Sequence, residues 1–229
     1  MKIQTLIILT LLSFKICAQT NDRILIEISA QIKNTSSMPF YTHTGAEDSF
    51  KNVLALNVEY SQIKKIRKLI EDKIGKKLKF LTAWNINGEA HVTTITPPEY
   101  KYHLRFHISM KRINEIAKEM DIQNTELEIL GIGSGNKLIE GKVETTYFVI
   151  VDSAKLRKIR HVIFREFVDN GGNPKSFDPT WFFPHITIGY TKSDIHENSG
   201  LIKNVKHSFD NRFELKLIKA ALCTPVFEY

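Results

Sequence analysis

Apolar positions along this chain fall into runs of two periods, and the alternation between them lays out the elements. The largely apolar run Val53-Leu54-Ala55-Leu56-Asn57-Val58 predicts a buried strand. Ile63, Ile66, Ile70 and Ile74 then share one face of a helix over 61–75, with Gly75 as its stop. Two strands follow at 78–84 and 89–95, joined at the hairpin signal Asn87-Gly88. Beyond the Pro97-Pro98 break, Ile113, Ile116, Ala117 and Met120 predict a helix over 109–121 with Ser109 as its N-cap. A strand is expected at 125–132, then a turn at Gly131-Ile132-Gly133-Ser134-Gly135, since no helix follows to complete a phosphate-cradling loop. A strand over 143–151 and a helix over 153–169, ended by Gly171-Gly172, come next. The aromatic segment 177–184 leads into a strand beginning at His185, and 213–222 is expected to close the sheet. Upstream, 19–50 carries one strand-like run (Ile24, Ile26, Ile28) in an otherwise polar N-terminal extension.

Part of this pattern occurs twice. Lys64-Lys65-Ile66-Arg67-Lys68-Leu69-Ile70 is echoed 93 residues later by Arg157-Lys158-Ile159-Arg160-His161-Val162-Ile163. His91-Val92-Thr93-Thr94-Ile95 is echoed 94 residues later by His185-Ile186-Thr187-Ile188-Gly189. Two offsets that agree to one residue describe a strand, helix, His-strand module used twice.

The repeated His-x-Thr pattern is where chemistry concentrates. Residues two apart on a strand point to the same face, so each strand presents an imidazole beside a hydroxyl. Histidine's ordinary pKa of about 6.5 lets one ring be neutral while another is protonated, an acid and base pair that needs no metal. Hydroxyls beside such a pair suit the non-bridging oxygens of a phosphate. The bare tripeptide is weak, because three of the eight histidines (His91, His107, His185) precede Ser or Thr by two residues. His107 abuts the N-cap Ser109 and is expected to be structural.

The paired motifs, Pro184 just before the second and the internal duplication resemble the two-histidine (2H) phosphoesterase superfamily over residues 51–229. The continuation Ile95-Thr96-Pro97-Pro98-Glu99-Tyr100 is similar to its exported, Swiss-army-knife-type branch. The resemblance implies a bilobed, pseudo-twofold α+β fold, with two mostly antiparallel sheets facing a central cleft and helices outside. The lobe halves would be roughly 51–125 and 126–229. It implies metal-independent chemistry on phosphodiesters, commonly 2′,3′-cyclic phosphates of nucleotides or RNA ends, with no cofactor. Carried over by motif, His91 and His185 become the proton-transfer pair and Thr93 and Thr187 the phosphate holders. Thr94 stands where the family more often has an aliphatic residue, but strand alternation turns it away from the site. A nucleotide- or RNA-end-binding module without turnover, and a secreted effector acting on foreign nucleotides or RNA, are the alternatives.

Composition adds bounds. At 229 residues, 42% hydrophobic and 25% charged, the chain suffices for one core or two small lobes sharing one. Lys2 followed by the apolar run Leu6–Phe14 and a small residue at Ala18 reads as a cleavable export signal over 1–18, too short to span a membrane. The product is expected to be periplasmic or extracellular, monomeric and not stably inserted in a membrane. Cleavage lowers the formal charge from +7 to +5 and leaves Cys223 alone, so no internal disulfide is available. The remaining positive charge suits a phosphate ligand without demonstrating nucleic-acid binding. The basic residues Lys64, Lys65, Arg67, Lys68, Arg157, Lys158 and Arg160 are expected to face water, and Trp181, Phe182 and Phe183 to fill the core. His103, His107 and His161 have no second ligand at metal spacing.

Overall fold

The computed structural model describes residues 23–29, 46, 51–83 and 85–218. The expected export signal, Trp84 and Cys223 lie outside them. In chain order the strands and main helices are β1 (Ile24–Ser29), β2 (Leu54–Val58), α1 (Tyr60–Ile74), β3 (Ala90–Ile95), α2 (Pro97–Tyr102) and α3 (Met110–Glu119). They are followed by β4 (Glu128–Ile139), β5 (Lys142–Asp152), α4 (Ala154–Asp169), β6 (His185–Tyr190) and β7 (Phe213–Ile218). No helix among the described residues is long and apolar enough to cross a membrane.

Five strands form an antiparallel sheet in the order β2-β3-β6-β5-β4. One row of paired positions, Leu56, Val92, Ile186, Val149 and Ile132, runs across all five and is fully buried. Side-chain alternation then makes that face the core, where α1 packs on β6 and α4 on β3. Each helix therefore braces the His-strand more distant from it in chain order, α1 the later one and α4 the earlier one. Thr94 is fully buried and lies on this core side, away from the neighbouring His91 and Thr93.

Helix ends follow their local chemistry. Gly75 adopts the left-handed conformation (φ 65°) that stops α1. Ser109 and Ser153 cap α3 and α4 by accepting from the third backbone N–H beyond them. Pro97-Pro98 is a start as well as a break, because Thr96 and Glu99 form a capping box that opens α2. The outer strand β2 is closed by a side chain: Gln123 accepts from the Asn57 N–H at 3.2 Å and donates to the Asn57 carbonyl at 3.0 Å.

Four expectations are corrected. The antiparallel strands make one sheet rather than two facing sheets, because β3 and β6 each have one side left open and pair there at Val92 and Ile186. Residues 78–83 form no strand beside β3, whose two sides are taken by β2 and β6; Lys79 instead exchanges two backbone hydrogen bonds with Tyr190 (2.8 and 2.9 Å). Gly131, Gly133 and Gly135 lie within β4, and the turn falls at Glu140-Gly141, both with positive φ. β7 does not join the main sheet but pairs in parallel with β1, forming a second, two-stranded sheet.

The Lys79–Tyr190 link depends on Gly189, where an added Cβ would lie 2.7 Å from the Lys79 carbonyl oxygen. Backbone cannot yield there as a side chain could. Gly189→Ala is expected to cost about 1–3 kcal/mol, seen as a lower urea midpoint with an unchanged slope.

Candidate active site

The sheet face opposite the core carries two rows that flank the apolar one. Asn57 pairs with His91, and Thr187 with Phe148 and then Gly133; Ala55 pairs with Thr93, and His185 with Ile150 and then Gly131. Extending the Val92–Ile186 register by one residue each way joins the half-rows, setting His91 opposite Thr187 and Thr93 opposite His185. All four sequence-predicted site residues thus stand side by side on one face. Each histidine has the other strand's threonine as its direct neighbour, at ~4.5–5.5 Å between Cβ atoms, while the two histidine positions lie on the diagonal, ~7–8 Å apart along the backbone. His91, Thr93 and His185 are half-buried, and Thr187 is buried.

The floor beside them is shaped by small residues. A Cβ at Gly133 would sit 2.3 Å from the Phe148 ring, so that glycine lets the ring lie against the strand. Phe148 meets the His185 imidazole edge-on, with centroids 5.7 Å apart.

His185 is held at both nitrogens. Nδ1 lies 2.8 Å from the Phe183 carbonyl oxygen, which only accepts, so Nδ1 carries the proton. Nε2 lies 3.1 Å from the Lys203 ammonium, which only donates, so Nε2 offers its lone pair and the ring is neutral. Burial first, and then the Lys203 charge, push His185 well below histidine's ordinary range, against the opposing pull of Phe183 and Asp194. Lys203 also donates to Asp194 Oδ1 at 3.0 Å, and the Thr187 hydroxyl donates to Asp194 Oδ2 at 3.0 Å. Burial, the largest single influence, would raise the Asp194 carboxyl, but the surrounding positive groups, led by Lys203, together with the Lys203 hydrogen bond hold it below its usual range. Burial lowers Lys203 and, nearby, His196.

The loop after β6 delivers Asp194. Thr146 on β5 accepts from the Ile195 N–H at 2.9 Å, and the Thr191 hydroxyl accepts from the Thr145 N–H at 2.8 Å. Those bonds fold 191–195 back onto β5. On the other side Arg160 reaches the carbonyls of Pro179 (3.0 Å), Asp178 (3.1 Å) and Trp181 (3.3 Å), tying down the segment that enters β6.

Other candidates fall elsewhere. His107 bonds the Asn170 carbonyl (3.0 Å) and packs edge-on against Phe167, a structural role. Arg67 and Arg160 are buried rather than facing water: Arg67 stacks on Phe80, and Arg160 pairs with Glu99. Of the three aromatics, Phe182 is buried and Trp181 is half exposed. Tyr100 is buried, its hydroxyl accepting from the Met110 N–H. A shallow recess beside Phe183, Pro184 and Lys203 has none of the four His and Thr residues in its lining. Lys203 and Asp194 carry no sequence signal, since each is one charge in a polar stretch and only burial sets it apart.

A family model described as Swiss Army Knife, 2H phosphoesterase domain, matches residues 30–196, a span that contains both His-x-Thr motifs. No curated protein and no solved structure matches the chain.

Proposed function

The chain belongs to the 2H phosphoesterases of the Swiss Army Knife type, and from that membership, which supports phosphodiester hydrolysis in general, we propose that it opens a cyclic phosphate, a 2′,3′-cyclic nucleotide or RNA end. The observation that carries the proposal is the pairing of His91 with Thr187 and of His185 with Thr93 across adjacent strands. A phosphate set over that square has two hydroxyls for its non-bridging oxygens and an imidazole at each of two opposite corners.

In the reaction one imidazole takes a proton from water as the water oxygen bonds to phosphorus. The bond from phosphorus to one ribose oxygen breaks, and the other ring, protonated, gives its proton to that oxygen. A phosphomonoester with a free hydroxyl results; one ring accepts the water proton and the other supplies the proton to the leaving oxygen, so the step calls for no metal or cofactor. The Thr187 hydroxyl must turn its proton from Asp194 to the phosphate, an exchange that Lys203 eases by keeping Asp194 paired. The matching order β2-α1-β3 and β5-α4-β6 supports reading the two halves as repeats of one module. The same reading takes residues 1–18 as an export signal and places the monomeric enzyme outside the cytoplasm.

The test is product formation from a 2′,3′-cyclic nucleotide with and without EDTA. Expected is turnover that EDTA leaves unchanged, with a bell-shaped dependence on pH. Saturable binding without product would instead identify a binding module, and inertness toward cyclic nucleotides and oligoribonucleotides alike would overturn the proposal.

A further inference from the structure

Lys203 lies beyond the family-matched span 30–196 and was not among the residues the motifs point to. Its side chain is 3% exposed and that of Asp194 is 9% exposed. A charge so deep needs a compensating partner, and the two supply it for each other at 3.0 Å. The remaining contacts of the pair are what distinguish it from a plain structural bridge. Lys203 reaches Nε2 of His185, Asp194 receives the Thr187 hydroxyl, and the ammonium lies 5.3 Å from the centre of the Phe148 ring that also packs on His185. One ion pair thus touches an imidazole and a hydroxyl of the same His-strand.

We propose that Lys203, anchored by Asp194, is a positioning residue that divides the proton work between the histidines: by donating to Nε2 it keeps His185 neutral at rest, making His185 the proton acceptor and His91 the proton donor. This rests on the phosphodiesterase reading. The charged and titratable groups facing His185 are Lys203, Asp194 and His196 from the segment after β6, and His91 diagonally across on β3; β5 presents only Phe148 and Ile150. Two positive charges 3.1 Å apart would be costly, which is why the resting ring beside Lys203 is the uncharged one. When phosphate arrives, a Lys203 N–H turns from Nε2 to a phosphate oxygen and water takes its place on the lone pair. The water proton passes to His185 Nε2, the water oxygen bonds to phosphorus, the ribose oxygen leaves, and the imidazolium proton of His91 goes to it. Solvent then takes the proton from His185 and returns one to His91.

Ring NMR of the full chain tests the coupling without any substrate. In the wild type, His185 should read as the neutral, Nδ1-protonated form at about pH 6, below the ordinary midpoint of about 6.5. Lys203→Met should move its midpoint upward, since the cation is gone and Asp194 remains, whereas Lys203→Arg should hold it near the wild-type position. The double variant Lys203→Met with Asp194→Asn leaves no charge buried alone, so it carries the test if the single variant fails to fold, and it too should shift upward. The acidic limb of kcat/KM on a 2′,3′-cyclic nucleotide should move in the same direction. A charged His185 in the wild type at about pH 6, or a midpoint within about 0.3 unit of wild type in Lys203→Met or, where that fails to fold, in the double variant, overturns the proposal. If the ring behaves as expected but neither cyclic nucleotides nor oligoribonucleotides are hydrolysed, the phosphodiesterase reading fails while the Lys203–His185 coupling stands.

Discussion

Replacing either His91 or His185 with alanine is expected to lower turnover of a 2′,3′-cyclic nucleotide by ~10²- to 10⁴-fold, the range for positioned acid–base groups. The loss should appear mainly in kcat, because the threonine hydroxyls and Lys203 remain to hold the phosphate. Both histidines are half-buried on the face opposite the core, so the folded state should survive each change with little shift in unfolding midpoint. The double variant should be scarcely worse than the poorer single one, since proton removal and proton delivery serve one displacement. Turnover within a factor of about three of wild type in either single variant, with the fold intact by circular dichroism, would remove that histidine from the reaction.

Arg160→Ala carries the largest expected cost to stability, about 3–5 kcal/mol, the range for breaking a buried ion pair from one side. The guanidinium pairs with both Glu99 oxygens (2.8 and 3.2 Å) and donates to the Thr94 carbonyl at 2.8 Å, besides the three carbonyls of 178–181. It is also stacked against the Phe177 and Phe182 rings, 4.9 and 4.8 Å from their centroids. Truncation would strand a carboxylate and several inward carbonyls while opening a void between the rings. A large fall in urea midpoint at unchanged slope is the expected reading, and a cost under about 1 kcal/mol would refute it. Because Thr94 belongs to β3 and 178–181 leads into β6, a secondary loss of kcat at temperatures where the variant stays folded is also expected.

The histidines and Arg160 mark the boundary of what the sequence discloses. The His-x-Thr positions are legible because a period of two and a repeat distance of 94 fix both the strand and its facing side before any contact is known. Arg160 is legible only as a basic residue in a helical echo; its burial follows from where 177–184 crosses α4, a long-range matter that periodicity does not encode. Arg67, its counterpart 93 residues earlier, is misjudged for the same reason, being sealed by Tyr60 and Phe80. The Gly131–Gly135 stretch misleads differently. Glycine favours turns by default, but here it is selected for thinness, letting Phe148, Phe209 and Leu201 press against β4. Lys203 and Asp194 are invisible to pattern because a buried charge and a surface one are spelled alike.

The carboxamide of Gln123 has a consequence outside catalysis. An outermost strand with bare amides and carbonyls is a template on which another chain can stack, the first step toward fibres. By occupying both backbone groups of Asn57, Gln123 imitates the next strand without being one. At the opposite margin the backbone around Phe209 and Asp210 does the same for the middle of β4, where Asp210 N–H bonds the Ile132 carbonyl at 2.9 Å. Stoppered at those two places, each outer margin offers a second molecule an interrupted ladder rather than a continuous one.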